Sequence, residues 1–551
     1  MSERFALHFL PGGYSVAGQK LMGRQAAGAG LMRAIARCDD LTEVGCFAAS
    51  AAHAAECAQS LRQQGYRGAV PWVSTEEPEA LARFGCLYHP APGIQQLAWR
   101  RARIGDRAYS LCGITHTTAS HAIMSSIAEF LVAPIRSWDA VICTSRVVRD
   151  SVRMLLEEQA DYLRARLGAQ RFELPQLPLI PLGVHCADLR FEQQLRVQAR
   201  QELQIGAEDV AFLFLGRLSF HAKAHPQQMF HALERAEKRG RAVHLILCGW
   251  FANDAIEKAF REAAALFCPS VRLLIVDGRL PKMQARAWAA ADVFVSLSDN
   301  IQETFGLTPV EAMAAGLPCI VSDWNGYRDT VRDGLDGYRI PTIMPPPGAG
   351  ADLACRYDDG RDSYDMYCGH TSQAVAVDGT LLTQACSRLI CDAELRRVMG
   401  EHARRRAERE FDWPVIFRRY RELWTELSER RRADPVLLPA LPSCAPDRPD
   451  PFRLFQSYPT NTLSGHTVVT LAPGATVPLV REYRQLGINR FAVASLPTLE
   501  EFECIVSTLT KAAATVDDIA ANFDASRHAM IQRGVVWLCK MDLVHLQLVD
   551  A

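Results

Sequence analysis

Two glutamates eight positions apart, Glu303 and Glu311, bracket the segment ETFGLTPVE near the middle of the chain. The run before them, Val293 to Leu297, is apolar and β-branched, as a buried parallel strand requires, and Ser298, Asp299 and Asn300 open a loop after it. Thr308, Pro309 and Glu311 then read as a helix start, with an N-cap hydroxyl, a proline at the first helical position and a carboxylate at the third. A helix that begins just past the carboxyl end of a parallel strand aims free N–H groups and the positive end of its dipole into the ligand crevice, which suits a phosphate. Gly306 lets the backbone approach closely, and Glu303 and Glu311 can accept hydrogen bonds from vicinal hydroxyls. A diphosphate flanked by two polyhydroxy rings is a nucleotide sugar. The structural alternatives are a capping box for Glu311 and a solvated loop carboxylate for Glu303.

These residues need a scaffold, and the surrounding pattern supplies one. The helix should end at Gly316, ahead of Pro318. A second strand, Cys319 to Val321, and a short helix after Asn325-Gly326 complete the unit. Upstream, Phe5 to Leu10 reads as a first strand, followed by Pro11, Gly12 and Gly13 and the helix AGLMRAIAR. Alternating helices and strands continue through WVS, SLCGI, DAVIC, VAFLFLG, HLILCG and RLLIVDG, the pattern of doubly wound α/β sheets. At 551 residues the chain exceeds what one core organises. Lys and Arg number 61 against 62 Asp and Glu, a formal charge of -1, so no global field favours nucleic acid.

The 17 cysteines are scattered, with no CxxC pair and no Cys/His cluster at zinc spacing, which reads as free thiols in a reducing cytoplasm. No apolar run approaches the roughly 18 residues of a membrane span, and the first residues lack a signal-peptide core.

With E-x7-E ahead of the A-x-x-x-G-x-P helix end in ETFGLTPVEAMAAGLPCIVSD, the chain resembles glycosyltransferase family 4, retaining enzymes of the GT-B fold. The resemblance covers about residues 5 to 432. It implies two Rossmann-like domains: residues 1–185 on the acceptor side, completed by a returning helix at 412–432, and residues 186–411 on the donor side.

By the same resemblance GRLSFHAK supplies Gly216, Arg217 and Lys223, the last two as cations for the donor diphosphate, so that no metal is implied. Charge gathers on the leaving phosphate as the glycosidic bond breaks, and fixed cations stabilise it. The N–H groups of Thr304, Phe305, Gly306 and Leu307 would serve the phosphate oxygens, Glu303 the sugar hydroxyls and Glu311 the ribose. Asp277, Arg279 and Leu280 lie where the family's backbone meets the nucleobase. Gly12 and Gly13 resemble its glycine-rich loop facing the donor, and His116 its histidine beside the anomeric carbon, with His121 as competitor. A structural loop histidine is the alternative for His116. His185 stands where the family carries an aspartate.

The resemblance implies no cofactor, only a nucleotide-sugar co-substrate, with a UDP-sugar favoured, and an acceptor that includes peptide or protein among the alternatives. The segment at 344–378 reads as an irregular insert, whose Tyr357, Tyr364, Tyr367 and His370 either cover the site or are structural. ARRR and SERRR read as solvated faces, with peripheral contact to anionic lipid as the alternative.

Residues 433–460 form a proline-rich linker and 461–551 an added module. In it HTVVTL, NRFAVAS and LVHLQLV read as strands around three helices, a winged-helix-like α+β domain. From residue 436 on, nine Lys and Arg face eleven Asp and Glu, which argues against DNA and for a protein, peptide or homo-oligomer contact. The rival to an enzyme is a non-catalytic GT-B scaffold that binds partners through this module. A GT-B phosphorylase is disfavoured because no lysine motif for pyridoxal phosphate is evident.

Overall fold

The computed structural model describes residues 4–14, 23–435 and 445–547. The chain separates into two compact units, residues 1–443 and 444–551. The first unit is built on two parallel six-stranded sheets. One contains β1 (Phe5–His8), β2 (Gly45–Ala48), β3 (Trp72–Ser74), β4 (Cys86–Tyr88), β5 (Ser110–Ile114) and β6 (Ala140–Ile142), in the order β3-β2-β1-β4-β5-β6. The other contains β7 (Val210–Leu218), β8 (Val243–Phe251), β9 (Arg272–Asp277), β10 (Val293–Ser296), β11 (Cys319–Ser322) and β12 (Gly337–Ile340), in the order β12-β11-β10-β7-β8-β9.

The two orders are the same doubly wound topology. In each lobe the strand order reverses between the first and fourth strands, β1/β4 and β7/β10, and ligands bind outside the carboxyl ends at such a switch point. The strands are short apolar runs buried on both faces, as helix-covered parallel strands must be. GT-B architecture, as the family resemblance implied, is therefore present in full.

Residues from the far end of the unit complete the first lobe. The connecting segment pairs with the start of a long helix, Trp413–Ala433: Val184 N–H donates to Phe411 O at 2.9 Å, and Trp413 N–H to Val184 O at 3.1 Å. Gly30 and Gly183 make room for Trp413, whose ring would lie 2.3 Å and 2.5 Å from a Cβ at those positions. Further along, Trp424 packs on Phe5 with ring centroids 4.4 Å apart, and Tyr420 meets Tyr88 at 6.0 Å. His185 is structural: its Nε2 donates to Gly30 O at 3.1 Å, and burial pushes its pKa down to about 4.

The arginine runs are not wholly solvated faces. Arg431 is buried and donates to Ser110 Oγ at 3.0 Å, and Arg406 donates to Asp329 O at 2.9 Å and pairs with Glu410 at 3.1 Å. Their long apolar stems cover core surface while the guanidinium groups satisfy carbonyls.

The insert corrects a second expectation. It contains two helices, Ala351–Asp358 and Tyr364–Ser372, because its breakers concentrate in Pro345–Gly350 and Ser363 caps the second helix through Met366 N–H at 3.3 Å. Its base is closed by antiparallel pairing of Thr342–Ile343 with Ala376–Val377.

The second unit has its own core around Val469, Phe502, Ile505, Val535 and Leu538. The helices Leu499–Lys511, Val516–Ala520 and His528–Lys540 stand beside a three-stranded antiparallel sheet of Val468–Leu471, Ala514–Thr515 and Val544–Gln547. NRFAVAS is not a strand. Asn489 is buried and its Nδ2 donates to Tyr483 O at 2.8 Å, which folds the chain back into the short helix Gly487–Arg490 and leaves Phe491 exposed. Residues 436–444 of the expected linker, and Gly18 after the first strand, lie outside the described residues.

Candidate active site

The carboxyl ends of β7 and β10 carry the residues singled out above. β7 ends in Gly216-Arg217-Leu218, and the backbone at Gly216 has φ +148, a conformation that favours glycine. The loop after β10 brings Glu303 into an ion pair with Lys223, both part-buried. Burial works to lower the Lys223 pKa, but the adjacent Glu303 carboxylate outweighs it and holds the ammonium above its ordinary value. For Glu303 burial raises the pKa, and Lys223 with the backbone N–H groups of Phe305 and Thr304 brings it below the usual range. The pair is therefore ionised at neutral pH. Arg217 lies beside it, with Nη2 donating to Ala222 O at 2.8 Å and to Gln302 Oε1 at 3.2 Å.

The helix after this loop runs over Leu307–Ala315, two residues earlier than expected, with Gly306 at the N-cap in the left-handed region at φ +85. A Cβ at Gly306 would sit 2.1 Å from the Tyr327 ring, so only glycine fits both the conformation and the space. Thr308 is inside the first turn and forms no cap hydrogen bond, so the capping-box alternative for Glu311 is removed. Burial pushes the Glu311 carboxyl up to about 7, against the pull of Lys223. The helix ends at Gly316, at φ +79, as expected.

Across the crevice, His116 lies just beyond β5. Burial, with Arg24 adding, pushes its pKa down to about 4, so the imidazole is neutral at pH 7. Its carbonyl accepts a hydrogen bond from Thr304 Oγ1 at 3.1 Å, and Ser145 Oγ donates to Thr304 O at 2.7 Å. The first lobe thus grips the loop after β10 at the residue following Glu303. His121 belongs to a different contact: its ring stacks on Tyr357 of the insert at 3.7 Å, and Tyr364 Oη lies 3.1 Å from Thr117 Oγ1. The insert reaches the first lobe beside His116, and Tyr357 stacks in turn on Tyr367 at 4.5 Å. His370 faces inward within the insert, on Asp362 at 3.1 Å.

Asp277, Arg279 and Leu280 lie at the carboxyl end of β9. Arg279 pairs with Asp277 at 2.8 Å and holds that carboxyl low, and Leu280 is 52% exposed. Gly12 and Gly13 fall in a one-turn helix, Pro11–Tyr14, beyond β1. Neither has positive φ, and Gly13 matters as a close neighbour of Gly28, where a Cβ would meet Gly13 O at 2.1 Å.

Two groups escaped the sequence reading. His8 and His89, at the carboxyl ends of β1 and β4, bring their Nδ1 atoms to 3.0 Å, one donating and one accepting. Burial pushes their pKa values to about 4 and about 3. Each follows an apolar strand and precedes a proline turn, a positional signal that was available. Asn300 and Gln302, ordinary loop residues by type, also face the cation loop.

Residues 196–343 match the family described as Glycosyl transferases group 1. The matched segment lies in the second lobe and contains Arg217, Lys223, Glu303 and Glu311, and it supports a place in the glycosyltransferase superfamily. The chain is 29% identical over 202 residues to the D-inositol 3-phosphate glycosyltransferase of Nocardia farcinica, covering 35% of this chain and 43% of that one. It is 28% identical over 260 residues to the phosphatidyl-myo-inositol mannosyltransferase of Mycobacterium leprae, covering 47% and 60%. The chain spans about half the length of the relatives it matches. Among solved structures, Anabaena Alr3699/HepE in complex with UDP superposes with a TM-score of 0.50 at 18% identity, over 77% of this chain and 100% of that one. That likeness is one of fold. Among the described residues no group of three or more His, Cys, Asp or Glu side chains is placed to hold a metal ion, and no helix is long and apolar enough to cross a membrane.

Proposed function

We propose that this protein is a glycosyltransferase that moves a sugar from a nucleotide diphosphate donor with retention at the anomeric carbon. The observation that carries the reading is the convergence of Arg217, the Lys223–Glu303 pair and the Gly306-led helix at one switch point, with His116 facing them from the other lobe. Arg217 and Lys223 neutralise the diphosphate as the bond between the anomeric carbon and the phosphate oxygen breaks. The acceptor hydroxyl forms the new bond on the same face, and its proton passes to the departing phosphate oxygen, so no enzyme nucleophile is required. Glu303 takes the sugar hydroxyls and Glu311 the ribose diol. His116 offers a neutral ring nitrogen toward the reacting centre, and closed lobes exclude water.

The charge that a metal would supply is provided by the two cations, which supports metal independence. A hexosyl group on UDP is the donor we favour, supported by the UDP held by HepE on the shared fold. A peptide or protein acceptor, or self-association, through a winged-helix-like second unit is part of the same proposal. So is a reducing cytoplasmic setting, which sixteen free cysteines among the described residues support.

The test is a melting-temperature panel of UDP-, GDP- and ADP-sugars on the intact protein and on Glu303→Ala. A donor raises the melting point by mass action. One sugar nucleotide should do so selectively, with the shift reduced in the variant, and Glu303→Ala should abolish transfer. Full transfer by that variant, or no shift from any donor, would overturn the assignment.

A further inference from the structure

Lys223 sits in an irregular loop between β7 and the helix Gln227–Arg235, with no regular element to fix its direction. Facing it is the loop Ser298–Glu303, also irregular. Four side chains of this second loop reach the end of β7 and three residues of the first loop. Gln302 Oε1 accepts from Arg217 at 3.2 Å, Asn300 Nδ2 donates to His221 O at 3.0 Å, Glu303 pairs with Lys223, and Asp299 Oδ2 accepts from His225 N–H at 3.2 Å.

Two of these ties hold backbone atoms, and those atoms belong to the residues two before and two after Lys223. The peptide that carries the ammonium is pinned on both sides by side chains that are themselves nearly inaccessible, Asn300 at 2% and Asp299 at 6% exposure. Asn300 is fixed in turn. Its Oδ1 accepts from Gln302 N–H at 2.9 Å, which sets the amide so that Nδ2 faces His221, and its carbonyl accepts from Trp324 Nε1 at 3.1 Å. Asp299 Oδ1 is buried with no hydrogen-bond partner, so this acid is kept in the interior with only one of its oxygens tied, to the lysine loop.

We propose that Asn300 and Asp299 are positioning residues that hold Lys223 and Arg217 in register for a nucleotide diphosphate. This rests on the donor reading above. Preorganised cations give more stabilisation than mobile ones because no reorganisation is needed when phosphate charge develops. In this role neither residue has to contact the ligand itself. Their removal acts on the diphosphate part of binding and leaves the nucleoside part alone, which general destabilisation would not do.

The experiment is titration calorimetry with UDP, GDP and ADP and with the matching nucleosides, on wild type, Asn300→Ala, Asp299→Ala and Asp299→Asn. Wild type should prefer one diphosphate strongly over its nucleoside. In Asn300→Ala and Asp299→Ala that preference should fall tenfold or more with nucleoside affinity unchanged. Asp299→Asn, which keeps an acceptor for His225 N–H, should restore it. Asn300→Ser is the milder variant should Asn300→Ala fail to fold. A wild type with no such preference overturns both the donor reading and this one. A wild-type preference retained in the alanine variants, or lost equally for nucleoside and diphosphate, overturns the positioning role alone.

Discussion

Replacing Glu311 by glutamine should make the protein more stable and less able to bind its nucleotide. Burial raises the carboxyl from its ordinary 4.5 to about 7, so between those values the folded protein retains a proton that the unfolded chain releases. The stability carried by the protonated form is fully present below 4.5 and is lost as pH rises through about 7. At 1.36 kcal/mol per pKa unit the loss at pH 8 is about 3 kcal/mol, against under about 1 kcal/mol at pH 5.

Glutamine has no charge to bury. Glu311→Gln should therefore melt several degrees higher than wild type at pH 8, at about 2–4 °C per kcal/mol for a lobe of this size, and nearly equally at pH 5. Scanning calorimetry at the two pH values, with nucleotide titrations alongside, reads both effects. The variant should bind the nucleotide more weakly at pH 8, because an amide is a poorer acceptor for a diol than a carboxylate. Equal melting at pH 8, or a gain of the same size at pH 5, would refute the burial argument.

Gly306→Ala should cost about 1–2 kcal/mol for the left-handed backbone and about 1–3 kcal/mol for the collision with Tyr327, and should weaken nucleotide binding. A wild-type melting curve and affinity would refute the close-packing argument. Tyr357→Ala removes a buried ring stacked on both His121 and Tyr367, about 3 kcal/mol. Hydrogen exchange should quicken in the insert and not in the sheets, and unchanged exchange in the insert would count against its docking. For His116 burial lowers the pKa from 6.5 to about 4, so its contribution is present above 6.5 and is lost as pH falls toward 4. His116→Asn should accordingly recover about 2 kcal/mol at pH 5 and little at pH 7.5.

The second lobe was legible because its signals are local. Apolar strands, the glycine at the helix start and the spacing of Arg217, Lys223, Glu303 and Glu311 all lie within short windows. What the sequence hid depends on residues far apart. The ties from Asn300 to His221 and from Asp299 to His225 join loops about 75 residues apart in sequence, and nothing in the residue types announces them. The insert reads as irregular because of its prolines and glycines, but these punctuate only its first part and leave Ala351–Asp358 and Tyr364–Ser372 free to form helices. NRFAVAS alternates like a strand, but a side-chain amide capping the preceding helix overrode that pattern. By charge alone Arg431 reads as solvated, but its place on the buried face of the Trp413–Ala433 helix follows from the spacing of Tyr420, Trp424, Leu427 and Arg431.

The Trp413–Ala433 helix has a consequence for the order in which the molecule comes into being. Phe5 and Tyr88 emerge from the ribosome early, but their partners Trp424 and Tyr420 are made more than 300 residues later. At 5–20 residues per second the interval is roughly 20 to 80 seconds. During it the nascent first lobe presents an aromatic groove to the cell, while the second lobe, contiguous in the chain, can fold as it appears. A chain halted before Trp413 is therefore a natural client for chaperones, and the finished lobe is sealed by a helix made long after its sheet.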